Sequence, residues 1–74
     1  MSQTVATRAF ACKAGIVIVN GHWAVVPDDS DYRTFWVPFK DVPKGTCSGD
    51  SLTVHAARDT NGIWQPVWVE VTRP

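Results

Sequence analysis

Residues Ser51 to Thr72, SLTVHAARDTNGIWQPVWVEVT, hold two alternating runs on either side of Asn61-Gly62. Leu52, Val54 and Ala56 alternate with Thr53, His55 and Ala57. Val67, Val69 and Val71 alternate with Pro66, Trp68 and Glu70. Successive side chains of a strand point to opposite faces, so this period marks half-buried strands. Asn-Gly accepts the left-handed conformation that a two-residue hairpin loop demands. The segment therefore reads as a hairpin with Thr60 opposite Ile63. That register sets Leu52 against Val71, Val54 against Val69 and Ala56 against Val67. A loop one residue longer would place Leu52 opposite Glu70 and mix the faces, which a sheet with one buried face resists.

A second Asn-Gly pair, Asn20-Gly21, divides Ile16-Val17-Ile18-Val19 from His22-Trp23-Ala24-Val25-Val26. The same reasoning pairs Ile18 with Trp23 and Ile16 with Val25, with both turns of type I′. Both faces of the first run are apolar, which predicts a central strand covered on two sides. Thr4 to Lys13 and Thr34 to Phe39 add further strands, the latter at an edge or ending at Pro38. Pro27-Asp28-Asp29-Ser30-Asp31 and Val42-Pro43-Lys44-Gly45 read as loop and turn. No ten-residue stretch has helical periodicity. The expectation is one domain over residues 1–74: an all-β, antiparallel β-sandwich of six to seven strands, immunoglobulin-like in architecture.

Seventy-four residues bury only roughly 60% of their unfolded surface, so stability is scarce. Seven basic and seven acidic residues give zero formal net charge, and the basic ones are dispersed. A nucleic-acid binder would show a basic patch, so none is expected as a partner. No apolar run reaches the ~20 residues of a membrane span. The first residues carry no signal-peptide core. The reading is an extracellular or virion-surface protein, either secreted after loss of a leader or released on lysis as a phage particle component.

Cys12 and Cys47 match no zinc spacing, even with His22 and His55. They are expected to form a structural disulfide, worth roughly 3–4 kcal/mol on the chain-entropy model. The alternative is two unpaired thiols in a reducing compartment.

The pattern L-T-V-x-A-x-x-D-x-x-G-x-W-x-x-x-V-x-V, Leu52 to Val71, resembles the last hairpin of bacterial immunoglobulin-like and fibronectin-type-III-like domains. The resemblance covers about a quarter of the chain. It implies that Asp59, Gly62 and Trp64 hold that family's places near, in and just after the turn. Tyr32-Arg33-Thr34-Phe35-Trp36 is similar, more distantly, to the turn of small secreted α-amylase inhibitors. That family's Trp-Arg-Tyr triplet and second disulfide are missing here.

No nucleophile with an adjacent base is recognisable, so no enzyme activity, cofactor or metal is expected. Asp28, Asp29 and Asp31 lack EF-hand spacing and read as a solvated turn. Aromatic residues stand out instead. The C-terminal register puts Trp64, Trp68 and His55 on one face, opposite the valines. Exposed aromatics mark partner contacts, whereas small cores also need their tryptophans. Candidate binding residues are Trp64, Trp68, His55, Tyr32 and Trp36. The expected function is a non-enzymatic binding or assembly module. It would dock a protein or carbohydrate through a sheet face or edge, as a homo-oligomer in the phage decoration case. The alternative is a small secreted inhibitor of a hydrolase such as an α-amylase, presenting the loop Asp28 to Trp36.

Overall fold

The computed structural model describes residues 7–72. Its strands are β1 (Thr7–Val19), β2 (His22–Pro27), β3 (Phe35–Pro38), β4 (Ser51–Arg58) and β5 (Trp64–Val71). A single 3₁₀ turn, Phe39–Asp41, follows β3. All five strands belong to one antiparallel sheet, ordered β3-β2-β1-β4-β5 and curled as a half-barrel. The all-β antiparallel class is as expected. The strand count is not: there are five strands in one sheet, rather than six or seven in two. One reason is that Lys13 and Gly15 lie within one continuous strand of 13 residues. Residues 4–6 of the expected first strand lie outside the described residues.

Curling lets the sheet bury its concave face against itself. Phe10, Cys12 and Ala14 of β1 line that face with Val25 of β2 and Phe35 and Val37 of β3. Leu52, Val54 and Ala56 of β4, Val69 of β5 and Val42 complete it. Every second residue from Phe10 to Ala14 in β1 and from Leu52 to Ala56 in β4 is therefore core, the latter as the alternation of Leu52, Val54 and Ala56 predicts. β3 is an edge strand with Pro38 at its end, where a missing N–H is tolerated.

The first hairpin has the expected turn. Asn20 (φ 52°) and Gly21 (φ 74°) are both left-handed, and Val19 faces His22 and Ile18 faces Trp23. Further down, Ala14 rather than Ile16 faces Val25. The offset is a bulge between Ala14 and Ile18. Gly15 suits it, because a Cβ there would sit 3.0 Å from the Ala24 carbonyl oxygen. The Trp23 indole N–H donates to the Gly15 carbonyl at 2.6 Å and braces the bend. Past Lys13 β1 outruns β4, and Ile16 to Val19, the first two of them within the bulge, project from the sheet. Ile16 is 82% exposed and the next three residues about half exposed. The expectation that this run is covered on both faces is corrected: β1 is central, but its end is not.

The second hairpin departs from the expected turn. The Asp59 N–H donates to the Ile63 carbonyl at 2.9 Å, which leaves a three-residue loop, Thr60-Asn61-Gly62. Of Asn61 and Gly62, Gly62 alone is left-handed, at φ 78°. The extra loop residue does not mix the faces, because β5 carries a compensating bulge at Val67. His55 faces Trp68, but Ala56 then faces Pro66 instead of Val67. Leu52–Val71 and Val54–Val69 stand as read. One irregularity thus cancels the other, and Val67 is left outside, 61% exposed. Gly62→Ala should accordingly destabilise the domain by about 1–2 kcal/mol, the cost of a left-handed L-residue. Asn61→Ala should change stability by no more than about 0.5 kcal/mol, as at an ordinary surface site. Equal losses in urea titrations would mean that both residues need positive φ.

Candidate functional site

β3 and β5 end the sheet, and the curl brings their outer edges toward each other. A cleft of 390 Å³ opens between them. Tyr32, Arg33 and Trp36 line one side, Ile63, Trp64 and Gln65 the other. Tyr32 and Arg33 arrive on the loop after β2, whose first turn is closed by Asp29. Its Oδ1 accepts the Asp31 N–H at 3.0 Å, and its carbonyl accepts the Tyr32 N–H at 3.2 Å. Asp28 pairs with Lys13 at 3.6 Å. These carboxylates shape and solvate the loop.

The far wall is set by Asp59. Its Oδ1 accepts the N–H groups of Asn61 (2.8 Å) and Ile63 (3.0 Å), and its Oδ2 accepts Gln65 Nε2 at 3.0 Å. The Ile63 amide first, then the Gln65 side chain and the Asn61 amide, hold this carboxyl below its usual pKa. A depressed carboxylate pKa stabilises the fold above the unfolded value and loses that contribution as pH falls through the folded one. The turn that carries Trp64 is therefore weakened in acid.

Under the cleft is an aromatic cluster centred on Phe10. Tyr32 lies edge-on at 4.9 Å between centroids, Phe35 at 5.3 Å and Trp64 at 5.5 Å, spacings at which aromatic pairs attract. The Arg8 guanidinium lies 4.7 Å from the Phe10 ring centre and 4.8 Å from that of Tyr32, and donates to the Tyr32 hydroxyl. Arg58 lies over Trp64 at 5.3 Å. Cations over ring faces are attracted by the ring quadrupole. Among the described residues the ion pairs are Lys13–Asp28 and His55–Glu70, so none of these arginines meets a carboxylate.

Of the residues singled out in the sequence, Tyr32, Trp36 and Trp64 meet in this cleft. Trp68 and His55 do not. They stack on each other at 3.8 Å and 9° on the convex face. His55 Nε2 lies 3.4 Å from Glu70 Oε1, out of hydrogen-bond alignment, and has no other partner among the described residues. The expectation of Trp64, Trp68 and His55 on one face is thus corrected. The residue inserted at Val67 turns Trp64 inward while leaving Trp68 outward. Sequence reading missed Phe10 and Arg8. The signal was the alternation Arg8-x-Phe10-x-Cys12-x-Ala14, masked by the small, weakly patterned residues between them.

The cysteines are free, and the expected disulfide is corrected. Cys12 points into the concave core, where its Sγ donates to the Phe10 carbonyl at 3.4 Å. Cys47 is exposed in the β3–β4 connector, held by its N–H to Asp50 Oδ2 at 2.8 Å. Burial, with Asp28 adding to it, pushes the Cys12 thiol from 9.0 up to about 11. A raised pKa gives stability that is complete below the unfolded value and lost as pH rises through the folded one. Stability should therefore fall between roughly pH 9 and 11, by about 2–3 kcal/mol at the upper end. Cys12→Ala should abolish that component of the alkaline transition. In the native protein iodoacetamide should label Cys47 alone; prompt labelling of Cys12 would show that the core opens.

No known family model, curated protein or solved structure matches the chain, so the reading of this site rests on its own geometry.

Proposed function

We propose that the chain is a non-enzymatic binding module that docks a protein or glycan in the edge cleft between β3 and β5. The observation that carries this reading is the convergence of Tyr32, Trp36 and Trp64 from three segments onto one open cleft. Trp36 is 45% exposed, on an edge strand where burial was available one residue away at Phe35 and Val37. A concave, mostly apolar site with a few polar groups is the usual form of a ligand pocket. Arg33, Asp31 and Gln65 supply the polar groups here.

The rest of the chemistry fits binding better than turnover. The Cys12 thiol is buried and protonated, so it is a poor nucleophile. His22 contacts a backbone carbonyl and His55 stacks on Trp68, and neither meets a hydroxyl or thiol among the described residues. Two free cysteines suit a component assembled in a reducing compartment, such as a virion part, better than a secreted inhibitor. The likeness of Leu52–Val71 to the last hairpin of immunoglobulin-like domains belongs to the same reading. Asp59 ties the turn, Gly62 supplies its left-handed residue and Trp64 joins the core rim.

Screening the labelled chain against glycan and peptide arrays, followed by calorimetry on the strongest hit, tests the cleft. Trp36→Ala should weaken that hit by roughly 30-fold, the effect of losing a hot-spot of about 2 kcal/mol. Trp68→Ala should leave it unchanged. The cleft reading fails if Trp36→Ala binds as well as the parent chain.

A further inference from the structure

Three arginines surround the cleft, and the carboxylates near it do not answer them. We propose that the ligand is an acidic peptide, held extended between β3 and β5 with its carboxylates on Arg8, Arg33 and Arg58; this rests on the cleft being the binding site. Arg33 lines the cleft itself. Arg8 lies over the rings of Phe10 and Tyr32, and Arg58 over that of Trp64. Arg8 faces Ala56 across the β1–β4 pair, and Arg58 stands two residues further along β4. Both therefore project on the concave face as diagonal neighbours, within reach of one ligand. Like charges so placed repel, and an anion relieves the repulsion. Asp59 spends both carboxylate oxygens on the Asn61 and Ile63 amides and on Gln65. Among the described residues Arg33 and Arg58 meet no carboxylate. A guanidinium lying on a ring keeps its N–H groups at its own edge, free for bidentate contact with a carboxylate.

The walls of the cleft select a peptide among anions. The Phe39 N–H donates to the Gly21 carbonyl. By the alternation of an antiparallel pair, Val37 and Phe35 then face β2, and the N–H and C=O of Trp36 point away from it, to the cleft side. On the other wall the Asp59 N–H donates to the Ile63 carbonyl, so Gln65 faces β4 and the N–H and C=O of Trp64 point outward. Both strands keep regular register at these residues, and the bulge of β5 lies beyond Pro66. An extended peptide brings its own N–H and C=O groups to such edges, as when a strand is added to a sheet. A glycan of uronic acids has no such run of amides. One face of Tyr32 and one of Trp64 also lie under a guanidinium, which takes up ring surface on which a sugar would stack.

Selecting a displayed random octapeptide library on the full chain tests this. The selected sequences should be enriched in Asp and Glu. The strongest, made as a synthetic peptide, should bind Arg33→Gln and Arg58→Gln roughly tenfold more weakly than the parent, the effect of one charge-assisted hydrogen bond. Asp31→Asn removes the cleft's own carboxylate and should tighten the peptide by about two- to threefold. All three variants should melt close to the parent chain. A selection without acidic enrichment, or an acidic peptide indifferent to both arginine variants, overturns the proposal. So does a galacturonic acid trimer that binds more tightly than the peptide, which would make the ligand an acidic glycan. If Trp36→Ala leaves the peptide's affinity unchanged, the cleft reading fails and this proposal with it. If Trp36→Ala weakens the peptide and the arginine variants do not, the cleft stands and the acidic ligand alone is overturned.

Discussion

Phe10→Ala should cost about 3–5 kcal/mol of folding stability, the range for truncating a buried aromatic. The ring is 4% exposed and is the common neighbour of Tyr32, Phe35 and Trp64. It also supports the Arg8 guanidinium. Its removal leaves a cavity beneath the cleft, and small domains have only about 5–15 kcal/mol in total. Most of the molecules should be unfolded well below the parent melting temperature. Phe10→Leu keeps much of the volume and should lose less, roughly 1–2 kcal/mol. Urea titrations followed by circular dichroism give both numbers. A loss below about 1 kcal/mol for Phe10→Ala would mean that the cluster is peripheral and that Leu52, Val54 and Val25 carry the core without it.

The alternation of Leu52, Val54 and Ala56 against Val69 and Val71 was legible because a period of two has few other readings. It located a half-buried hairpin and its inward residues correctly. Legibility stopped where the chain breaks its own period. A three-residue loop and a bulge at Val67 leave the outer register unchanged, so neither shows in the matching of Leu52 to Val71. Between them, however, they turn Trp64 to the other face from Trp68. Gly15 and Val67 mark the two bulges, yet a glycine or an extra valine in a β-rich run has other readings. The sheet's curl was illegible for a different reason. Whether Ile16 to Val19 are buried depends on how far β4 runs alongside, which is a property of another segment. The disulfide expectation failed in the same way. Cys12 and Cys47 each sit plausibly in the sequence, but the sheet face of one and the connector of the other keep them apart.

Trp64 and Trp68 differ by four positions, and their substitutions should separate cleanly. Trp64 packs edge-on against Phe10 and takes part in the core rim, so Trp64→Ala should cost about 3 kcal/mol or more. Trp68 is 49% exposed and stacks only on His55. Trp68→Ala forfeits that stack and part of its burial, about 1 kcal/mol for a pair of this kind. Thermal melts of the two variants should therefore fall far apart, with Trp64→Ala the lower. The ordering follows from the bulge at Val67. A regular β5 would place both tryptophans on one face and make their losses similar. Deleting Val67 should test the same point from the backbone side. Pro66 would stay opposite Ala56 and Trp68 opposite His55, now as consecutive residues of a shorter strand without the bulge, with Leu52 still opposite Val71. Every face is then kept, so the variant should fold, and Trp64→Ala should remain far more costly than Trp68→Ala in that background. Loss of the fold on deletion would show instead that the bend the bulge puts into β5 is itself required.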